Sequence, residues 1–450
     1  MIVNIKIIVC ICELINFIIR IYMGLGEKVN FKKTIVQLII SSAFLSCSVS
    51  AADLIIKNAN VFDGTGSDLI KKANIIIEDG KVKEISTGKI KEKADQIIDA
   101  KGKTVMPGII NSHLHLFWNF YDLPPKMPAT NDKQAEAFIN GELSERLRGH
   151  LEQGITSILS PIDFWPYIDE VKKKVESGEI SGPRVFMAGP VLLHSGDYYA
   201  CGGLAGAELK WCDEHVRLPI DTPEQARTSM KKLIGYNTDV VVYDGVTNLK
   251  EFNPESLKVI VEEAHKHNLK VLVHNADAKN VPAMIDAGVD AFIHPPSITK
   301  DTDGRYLEIV GEKKIPIAIT LGFLERYIGL GYAAEKDKND YDILKNNVQV
   351  MLKAGAIPLF TSDVPGIPPK EVIPMVTKVM KGQGIDNKTI LLSATREGAK
   401  ALGAKDLGTL EKGKIADLII VDGNPLKDIS VLQKVKLVVK DGVVVVDHLQ

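Results

Sequence analysis

The segment from Pro107 to His115 reads PGIINSHLH, a short apolar run that ends in two histidines separated by one residue. In a β-strand, residues two apart point to the same face, so we expect His113 and His115 to project together. Two imidazoles on one side of a strand end can hold a single metal ion. A His-x-His pair also occurs by chance in exposed strands, so its meaning depends on the rest of the chain.

Three further side chains that can bind a metal follow apolar runs of the same kind. His274 and His294 each come directly after such a run, and Asp363 comes three residues after Phe360. Taken singly, each is equally well explained as a hydrogen-bonded strand end. Taken together with the first two histidines, they predict a metal site, because the C-terminal ends of barrel strands meet at one mouth.

The middle of the chain alternates short apolar runs with helical patterns. The predicted strands are Val105–Ile110, Ser157–Ser160, Val185–Ala188, Val240–Tyr243, Lys270–Val273, Ala291–Ile293, Pro316–Thr320 and Pro358–Phe360. Nearly continuous apolar strands with helices between them indicate a parallel sheet buried on both faces, and eight of them fit a (β/α)₈ TIM barrel. An open doubly wound sheet is the alternative, but it more readily carries a glycine-rich loop after its first strand, which is lacking in this sequence.

The two ends of the chain carry a different pattern. Strand-like runs border Asp-Gly hairpin turns at 79–80, 422–423 and 441–442, and such turns are typical of antiparallel strands. We therefore predict a small composite β-sandwich formed from both termini. The predicted divisions are an export region at 1–51, the first part of the sandwich at 52–106, the barrel at 107–405 and the second part of the sandwich at 406–450.

The charge balance excludes some classes of partner. The chain has 450 residues with 55 basic and 57 acidic side chains, a formal net charge of -2 at pH 7. Nucleic acid or an anionic membrane surface would favour a basic face, so we expect neither. We expect a small-molecule substrate, and the sequence does not predict the oligomeric state.

The first fifty residues have the order of a secretory signal. Three lysines between 28 and 33 precede the apolar stretch Thr34–Leu45, and small residues follow near Ala51. The natural start of such a signal is Met23. We predict a periplasmic or secreted protein with no stable membrane span after cleavage.

Two alternatives exist for this region. A membrane span at Ile7–Met23 would place Glu13 and Arg20 in hydrocarbon, which is costly. Lipid attachment at Cys47 is the other alternative, although Phe44 fits that signal poorly.

Cleavage near Ala51 leaves two cysteines, Cys201 and Cys212. In an oxidising compartment this pair could form a disulfide. The alternative is two free thiols, because the sequence does not give the distance between their Cα atoms.

Longer motifs occur at both ends of the region from Asp53 to about Val446. They are IDAKG at 98–102, VMPGII at 105–110, ATREGA at 394–399, GKIADL at 413–418 and DGNPL at 422–426. With the histidines, these motifs resemble the amidohydrolase superfamily, and within it the imidazolonepropionase-like and prolidase-like branch. The resemblance implies hydrolysis of an amide, lactam or dipeptide-like C–N bond. Deamination of a heterocycle on the same barrel and a non-catalytic metal- or ligand-binding role are the alternatives.

One position departs from that family pattern. Two-metal members commonly carry a carboxylated lysine on the fourth strand, where it bridges the metals, and Val242 stands at that position here. Either the site holds one metal, or Asp244 or water replaces the bridge. The departure favours one Zn²⁺ or similar divalent ion over two.

The ligand types predict individual roles. In a one-metal site, His113, His115, His274 and Asp363 bind the ion, which makes hydroxide available near neutral pH. Asp363 also acts as general acid and base, and His294 polarises the scissile carbonyl. In a two-metal site, His274 and His294 hold the second ion.

Five residues outside the predicted metal site also have predicted positions or roles. His194 is a candidate substrate contact, with a surface loop as the alternative. Tyr243 is another, with strand packing as the alternative. His150, His265 and His267 lie in helical surroundings, and we expect them to face solvent.

Overall fold

The computed structural model describes residues 52–117, 129–196, 201, 204–245, 252–329, 331, 334–363 and 367–449. The predicted export region at 1–51, including Met23 and Cys47, lies outside these residues. Across the described ranges, none of the helices combines the length and the apolar character that crossing a bilayer requires.

Strands from both ends of the chain form one mixed sheet, here called the terminal sheet. Its strands are β1 Ala52–Val61, β2 Ile70–Glu78, β3 Lys81–Ser86, β4 Ala94–Asp99, β5 Thr104–Pro107, β16 Leu418–Val421, β17 Val435–Lys440 and β18 Val443–Asp447. The order is β18-β17-β16-β5-β1-β2-β3, with β4 also paired to β1. Because β5 is parallel to β1 and antiparallel to β16, it joins the two ends of the chain.

The apolar run of β16 is buried on both faces. Leu418 and Ile420 pack with the apolar residues of the terminal sheet, whereas Ile419 and Val421 pack with the core of the α/β region. Alternate residues of a strand point to opposite faces, so this unbroken apolar run is what a strand between two cores requires.

The middle of the chain forms parallel strands. These are β6 Ile109–Asn111, β7 Ile155–Ser160, β8 Arg184–Met187, β9 Val191–Leu193, β10 Arg217–Pro219, β11 Val240–Tyr243, β12 Lys270–Val273, β13 Ala291–Phe292, β14 Pro316–Ala318 and β15 Ile357–Leu359. They make a three-stranded sheet, β6-β7-β8, and a seven-stranded sheet, β10-β9-β11-β12-β13-β14-β15. The protein is therefore a mixed α/β structure with parallel sheets.

Backbone hydrogen bonds connect these two sheets at two places. The N–H of Ser112, just after β6, donates to the carbonyl of Phe360, just after β15, at 2.9 Å. The N–H of Asp239, just before β11, donates to the carbonyl of Met187 at the end of β8, also at 2.9 Å.

The connections are mostly helical. The helices are α1 Asp132–Phe138, α2 Ser144–Glu152, α3 Tyr167–Glu176, α4 Gly206–Val216, α5 Pro223–Gly235, α6 Pro254–Lys266, α7 Val281–Ala287, α8 Glu308–Glu312, α9 Gly322–Gly329, α10 Glu335–Ala354, α11 Pro369–Gly382, α12 Asn387–Leu392 and α13 Gly398–Ala401. Thr222 and Asn253 cap α5 and α6 through their side chains, each followed by proline. Gly288 and Gly355 end α7 and α10 in the left-handed conformation that glycine favours.

The predicted strand Val105–Ile110 is wrong as a single element. The chain changes sheets at Gly108, because β5 belongs to the terminal sheet and β6 pairs with β7. A Cβ atom at Gly108 would lie 2.1 Å from Oγ1 of Thr156. Only glycine therefore allows the chain to pass this close to β7.

The third predicted strand, Val185–Ala188, is followed by a strand that the sequence did not indicate. After a break that includes Gly189 with a positive φ of 70°, the chain resumes as β9. Beyond β9, Cys201 and Cys212 form a disulfide, with their Cα atoms 6.0 Å apart. This resolves the open question of free thiols and ties residue 201 to α4.

Candidate metal centre

Four imidazoles converge beyond the C-terminal ends of β6, β12 and β13. One ring nitrogen from each of His113, His115, His274 and His294 lies within 4.8 Å of the others. Nε2 of His113 is 3.0 Å from Nε2 of His115, and Nε2 of His274 is 3.2 Å from Nε2 of His294. Residues far apart in the sequence are thus brought together by the parallel arrangement of their strands.

Asp363 faces the same group of nitrogens. Its Oδ1 lies 3.2 Å from Nε2 of His113 and 3.5 Å from Nε2 of His115. It lies 3.7 Å from Nε2 of His294. The N–H groups of Ser362 and Asp363 both donate to the carbonyl of His113, which fastens the loop after β15 to the loop after β6.

The outer nitrogens of His113 and His274 have different partners. Nδ1 of His113 lies 2.6 Å from the carbonyl oxygen of Ile293, which can only accept, so this nitrogen carries a proton and Nε2 carries a lone pair directed toward the centre. This is the arrangement of histidines that bind metals. Nδ1 of His274 lies 3.1 Å from Oδ2 of Asp244, an acceptor, and 2.8 Å from Nδ2 of Asn275, a donor.

The other two rings have outer partners of different kinds. The backbone of Ile162 hydrogen-bonds the ring of His115. Nδ1 of His294 lies 2.8 Å from Oγ1 of Thr320, a hydroxyl that can donate as well as accept. The partner of His294 therefore differs from that of His113, whose outer nitrogen contacts a group that can only accept.

Burial sets the charge state of the centre. It lowers the pKa of His115 below the ordinary 6.5, and those of His274 and His294 well below it. Burial alone would raise the pKa of Asp363, but the imidazoles of His294 and His113 outweigh it and lower this pKa well below its usual range. At neutral pH the rings of His115, His274 and His294 are therefore neutral, and Asp363 is a carboxylate.

These donors fit a divalent metal ion. Nε2 of His113 and Nε2 of His115 lie 3.0 Å apart, close enough for one cation to contact both. Nitrogen and carboxylate oxygen donors in this combination suit Zn²⁺ and similar ions. The site can therefore hold a metal, and its residues are drawn from the loops after β6, β12, β13 and β15.

The chain was then compared with known proteins. Residues 104–445 match the model of the amidohydrolase family. The chain belongs to the amidohydrolase family. It is accordingly a hydrolase that acts on carbon–nitrogen bonds.

The proteins similar to this amidohydrolase are named for different enzymatic activities. It is 27% identical over 365 residues to ochratoxinase of Aspergillus niger, covering 74% of this chain and 73% of that one. It is 28% identical over 405 residues to 5'-deoxyadenosine deaminase of Methanosarcina acetivorans, covering 82% and 84%. Among solved structures, a Xaa-Pro dipeptidase with bound methionine has a TM-score of 0.73 at 22% identity, covering 87% of this chain and 99% of that chain. The last likeness is one of fold.

Val242 and Asp244 of the amidohydrolase lie on the same face of the parallel pair β11 and β12 as His274. Val242 is paired with Leu272 on β12, so two residues further along each strand, Asp244 and His274 lie side by side. The carboxylate of Asp244 contacts the outer nitrogen of His274 rather than Nε2. Asp244 therefore orients a histidine, and the fully buried Val242 offers no ligand.

The two candidate substrate contacts lie in different environments. His194 is 2% exposed, and its Nδ1 is 3.2 Å from Oδ1 of Asp221. Its Nε2 is buried and has no hydrogen-bond partner among the described residues. Tyr243 is fully buried and paired with Val273, on the strand face opposite to His274, and its hydroxyl also has no hydrogen-bond partner among the described residues. Its contact with substrate stays a prediction.

The expectation that His150 faces solvent is wrong. The residue is 5% exposed and lies on the buried side of α2 with Leu147 and Leu151. Burial and the nearby Arg146 lower its pKa to about 4. The spacing of these three residues places them on the buried face of an amphipathic helix. This helical periodicity would have predicted that His150 is buried. His265 and His267 are exposed, as predicted.

Sequence reasoning missed the residues that support the ligand candidates. Thr320 lies at the end of a predicted strand, and Asp163 follows Ser160 by three residues, as Asp363 follows Phe360. The strand-end rule that found Asp363 would also have found these two. Asp221, which contacts His194, has no such signal because it lies in a loop.

Proposed function

We propose that this amidohydrolase is an exported, metal-dependent enzyme that hydrolyses a C–N bond of a small molecule. The bond class is a non-peptide amide, a lactam or a dipeptide-like amide. The observation that carries the proposal is the convergence of four Nε2 atoms and one carboxylate oxygen, with the outer nitrogen of His113 held by a carbonyl that only accepts.

The proposed metal ligands are His113, His115, His274 and Asp363, which would hold one Zn²⁺ or similar ion. When bound, such an ion supplies positive charge that lowers the pKa of water toward ~7. Two observations favour one ion over two. Val242 offers no ligand, and the carboxylate of Asp244 contacts the outer nitrogen of His274.

The protein's own groups can move the proton. As a carboxylate, Asp363 accepts a proton from the attacking water and returns it to the leaving nitrogen. If the hydroxyl of Thr320 donates to Nδ1 of His294, then Nε2 carries the proton and can donate to the scissile carbonyl. The unpartnered Nε2 of His194 is the proposed contact with a polar group of the substrate.

The proposed architecture around this site is a closed (β/α)₈ barrel at 107–405. The hydrogen bonds from Ser112 to Phe360 and from Asp239 to Met187 support closure, because they join both edge strands of the three-stranded sheet, β6 and β8, to the seven-stranded sheet. The strands at 52–106 and 406–450 would form the composite sandwich. The shared apolar core of β1, β2, β16 and β17 supports this division.

Export is proposed from the signal-like order before Ala51 and from the disulfide between Cys201 and Cys212. Disulfides persist mainly in oxidising compartments such as the periplasm and the extracellular space. Sequencing the N-terminus of the mature protein tests this proposal. A new N-terminus near Ala51 is expected, and an intact N-terminus at Met23 or Met1 would contradict it.

The catalytic proposal is tested with a panel of N-acyl amino acids, dipeptides and lactams, assayed for the released amine. His113→Ala and Asp363→Asn should abolish turnover while folding is retained, and His267→Ala, at an exposed position, is the control. Mass spectrometry of the native protein should find one metal per chain. Two metals per chain would refute the one-metal assignment, and activity in either site variant would refute the site.

A second candidate function is deamination. It is favoured by the 28% identity over 405 residues to the deaminase of Methanosarcina acetivorans. The same residues would serve both reactions, because each adds water to carbon and expels nitrogen. Ammonia released from a heterocycle such as an adenine nucleoside, without amide cleavage, would establish this alternative.

A further inference from the structure

The end of β7 forms a turn, Ser160–Asp163, that lies against the residues following His115. The side chain of Asp163 is fully buried, and its Oδ1 accepts a hydrogen bond from the N–H of Phe117 at 3.1 Å. The hydroxyl of Ser160 donates to Oδ2 of Asp163, and its oxygen accepts from the N–H of Leu116 at 3.2 Å. Ser160 and Asp163 thus accept hydrogen bonds from the N–H groups of two consecutive residues.

These contacts act on His115 from two directions. Leu116 and Phe117 are the two residues directly after His115, so their hydrogen bonds fix the backbone that carries the imidazole. The backbone of Ile162, in the same turn, hydrogen-bonds the ring itself. One four-residue turn therefore determines both where the backbone of His115 runs and how its ring is rotated.

Stability alone does not account for a carboxyl group at this position. Burial raises the pKa of Asp163 well above its usual range, and no cationic side chain in the described part of the chain offsets this. Burying a carboxyl group costs free energy that an apolar side chain would avoid. What the carboxyl group provides is a pair of directed acceptors beside His115.

We propose that Asp163 is a positioning residue, which sets His115 at the distance from His113 that binding of a common metal ion requires. The inference rests on the proposed function, because it assumes that His115 is a ligand. Partners of metal ligands typically change metal affinity about tenfold to a hundredfold when they are removed.

The test measures the affinity for Zn²⁺ by competition with a chelator, starting from metal-free protein. Asp163→Ala should bind Zn²⁺ about tenfold to a hundredfold more weakly than the wild type. Ser160→Ala should weaken binding less, in the same direction. Asp163→Asn should recover most of the affinity, since its amide oxygen can still accept from Phe117.

Asp301 offers a matched control. It is 1% exposed, and its Oδ2 accepts from two consecutive N–H groups, those of Tyr306 and Leu307, without contacting a candidate ligand. Asp301→Ala should lower thermal stability and leave the affinity for Zn²⁺ unchanged. Thermal unfolding of each variant separates loss of the site from loss of the fold.

The outcomes separate the two proposals. If the wild type binds no Zn²⁺, the proposed function fails, and the inference fails with it. If the wild type binds Zn²⁺ and Asp163→Ala binds it equally well, the inference alone is overturned. Equal losses in Asp163→Ala and Asp301→Ala would also overturn it, because they would reflect general destabilisation. Should Asp163→Ala not fold, Ser160→Ala and Asp163→Asn decide by the same measurement.

Discussion

At the scale of single residues, the partners of the outer nitrogens distinguish His113 from His294. The carbonyl of Ile293 can only accept, so it requires a proton on Nδ1 of His113 and leaves a lone pair on Nε2. Thr320 can also donate, which leaves His294 free to carry its proton on Nε2. This difference supports the proposed roles of His113 as a metal ligand and of His294 as a hydrogen-bond donor to substrate.

This difference predicts the effect of Thr320→Val, which keeps the shape of the side chain and removes the hydroxyl. We expect kcat to fall about tenfold to a hundredfold, because the ring of His294 loses the partner that fixes its tautomer. Bound metal per chain should stay unchanged. Steady-state kinetics and metal analysis check both statements.

The control for this prediction is Thr377→Val. Thr377 is also a buried threonine, but its hydroxyl bonds the carbonyl of Ile373 within α11. Its removal should leave kcat unchanged. Loss of metal from Thr320→Val would show instead that His294 is a ligand, as a two-metal site would require.

His150 predicts a pH dependence of stability. Its pKa is about 4 in the folded protein and 6.5 in the unfolded chain, so only the unfolded chain takes up the proton between these values. The contribution of the buried, neutral His150 to the unfolding free energy is therefore complete above pH 6.5, and it is lost as the pH falls toward 4. The separation of the two pKa values corresponds to about 3 kcal/mol of unfolding free energy.

Replacing His150 by leucine should remove that part of the pH dependence. Denaturant unfolding of the wild type and His150→Leu at pH 7.5 and pH 4.5 gives the comparison. The wild type should lose more stability on acidification than the variant does. His267→Leu, at an exposed position, is the control, and parallel losses in all three proteins would contradict the prediction.

The residues of the candidate centre could be proposed from sequence because they obey a local rule. His113, His115, His274, His294 and Asp363 all follow apolar runs, and parallel strands bring such positions to one end of a sheet. Their outer partners do not follow from local sequence. Whether Asp244 contacts His274 depends on the register of β11 against β12, which is a property of the pairing.

At the scale of elements, Gly108 decides where one sheet ends and the next begins. Gly108→Ala would place a Cβ atom 2.1 Å from Oγ1 and 2.4 Å from Cγ2 of Thr156. Overpacking of this kind typically costs about 1–3 kcal/mol, so we expect a loss of unfolding free energy in that range. Denaturant unfolding measures it.

Two further variants make this prediction specific. Gly88→Ala meets no atom within 4 Å and should change stability little. Adding Thr156→Ala to Gly108→Ala should recover part of the loss, because two of the contacting atoms are removed. If the double variant is no more stable than the single one, the contact with Thr156 is not the cause.

The element boundaries show what an apolar pattern leaves open. The run from Val105 to Ile110 looks like one strand, because its residues are apolar on both sides of Gly108. Its division becomes apparent only when the partners are known, since β5 pairs with β1 and β16 while β6 pairs with β7. Apolar residues predict that a strand exists, and hydrogen-bonding partners determine which sheet it joins.

At the scale of the whole molecule, one polar cluster connects the terminal sheet to the parallel strands. Arg184, the first residue of β8, has its Nη2 3.4 Å from Oδ2 of Asp417 and also contacts Asp441. Oδ1 of Asp417 accepts from the N–H of Asp441 at 2.7 Å. The side chain of Asp417 is 4% exposed, whereas that of Asp441 is 49% exposed.

The difference in exposure predicts unequal effects of removing the two acids. Asp417→Ala removes a buried acceptor of both Arg184 and the N–H of Asp441, and leaving such groups unsatisfied typically costs about 1–3 kcal/mol. Asp441→Ala removes a half-exposed carboxylate and should cost about 1 kcal/mol or less.

Because Arg184 begins β8, the cluster lies at the N-terminal ends of the parallel strands, away from the candidate metal centre. Both variants should therefore keep the metal content and kcat of the wild type. Denaturant unfolding measures the stability of each variant, and metal analysis measures its metal content. Equal destabilisation by the two substitutions, or metal lost from Asp417→Ala while it remains folded, would show that the cluster does not connect the sheets as its burial implies.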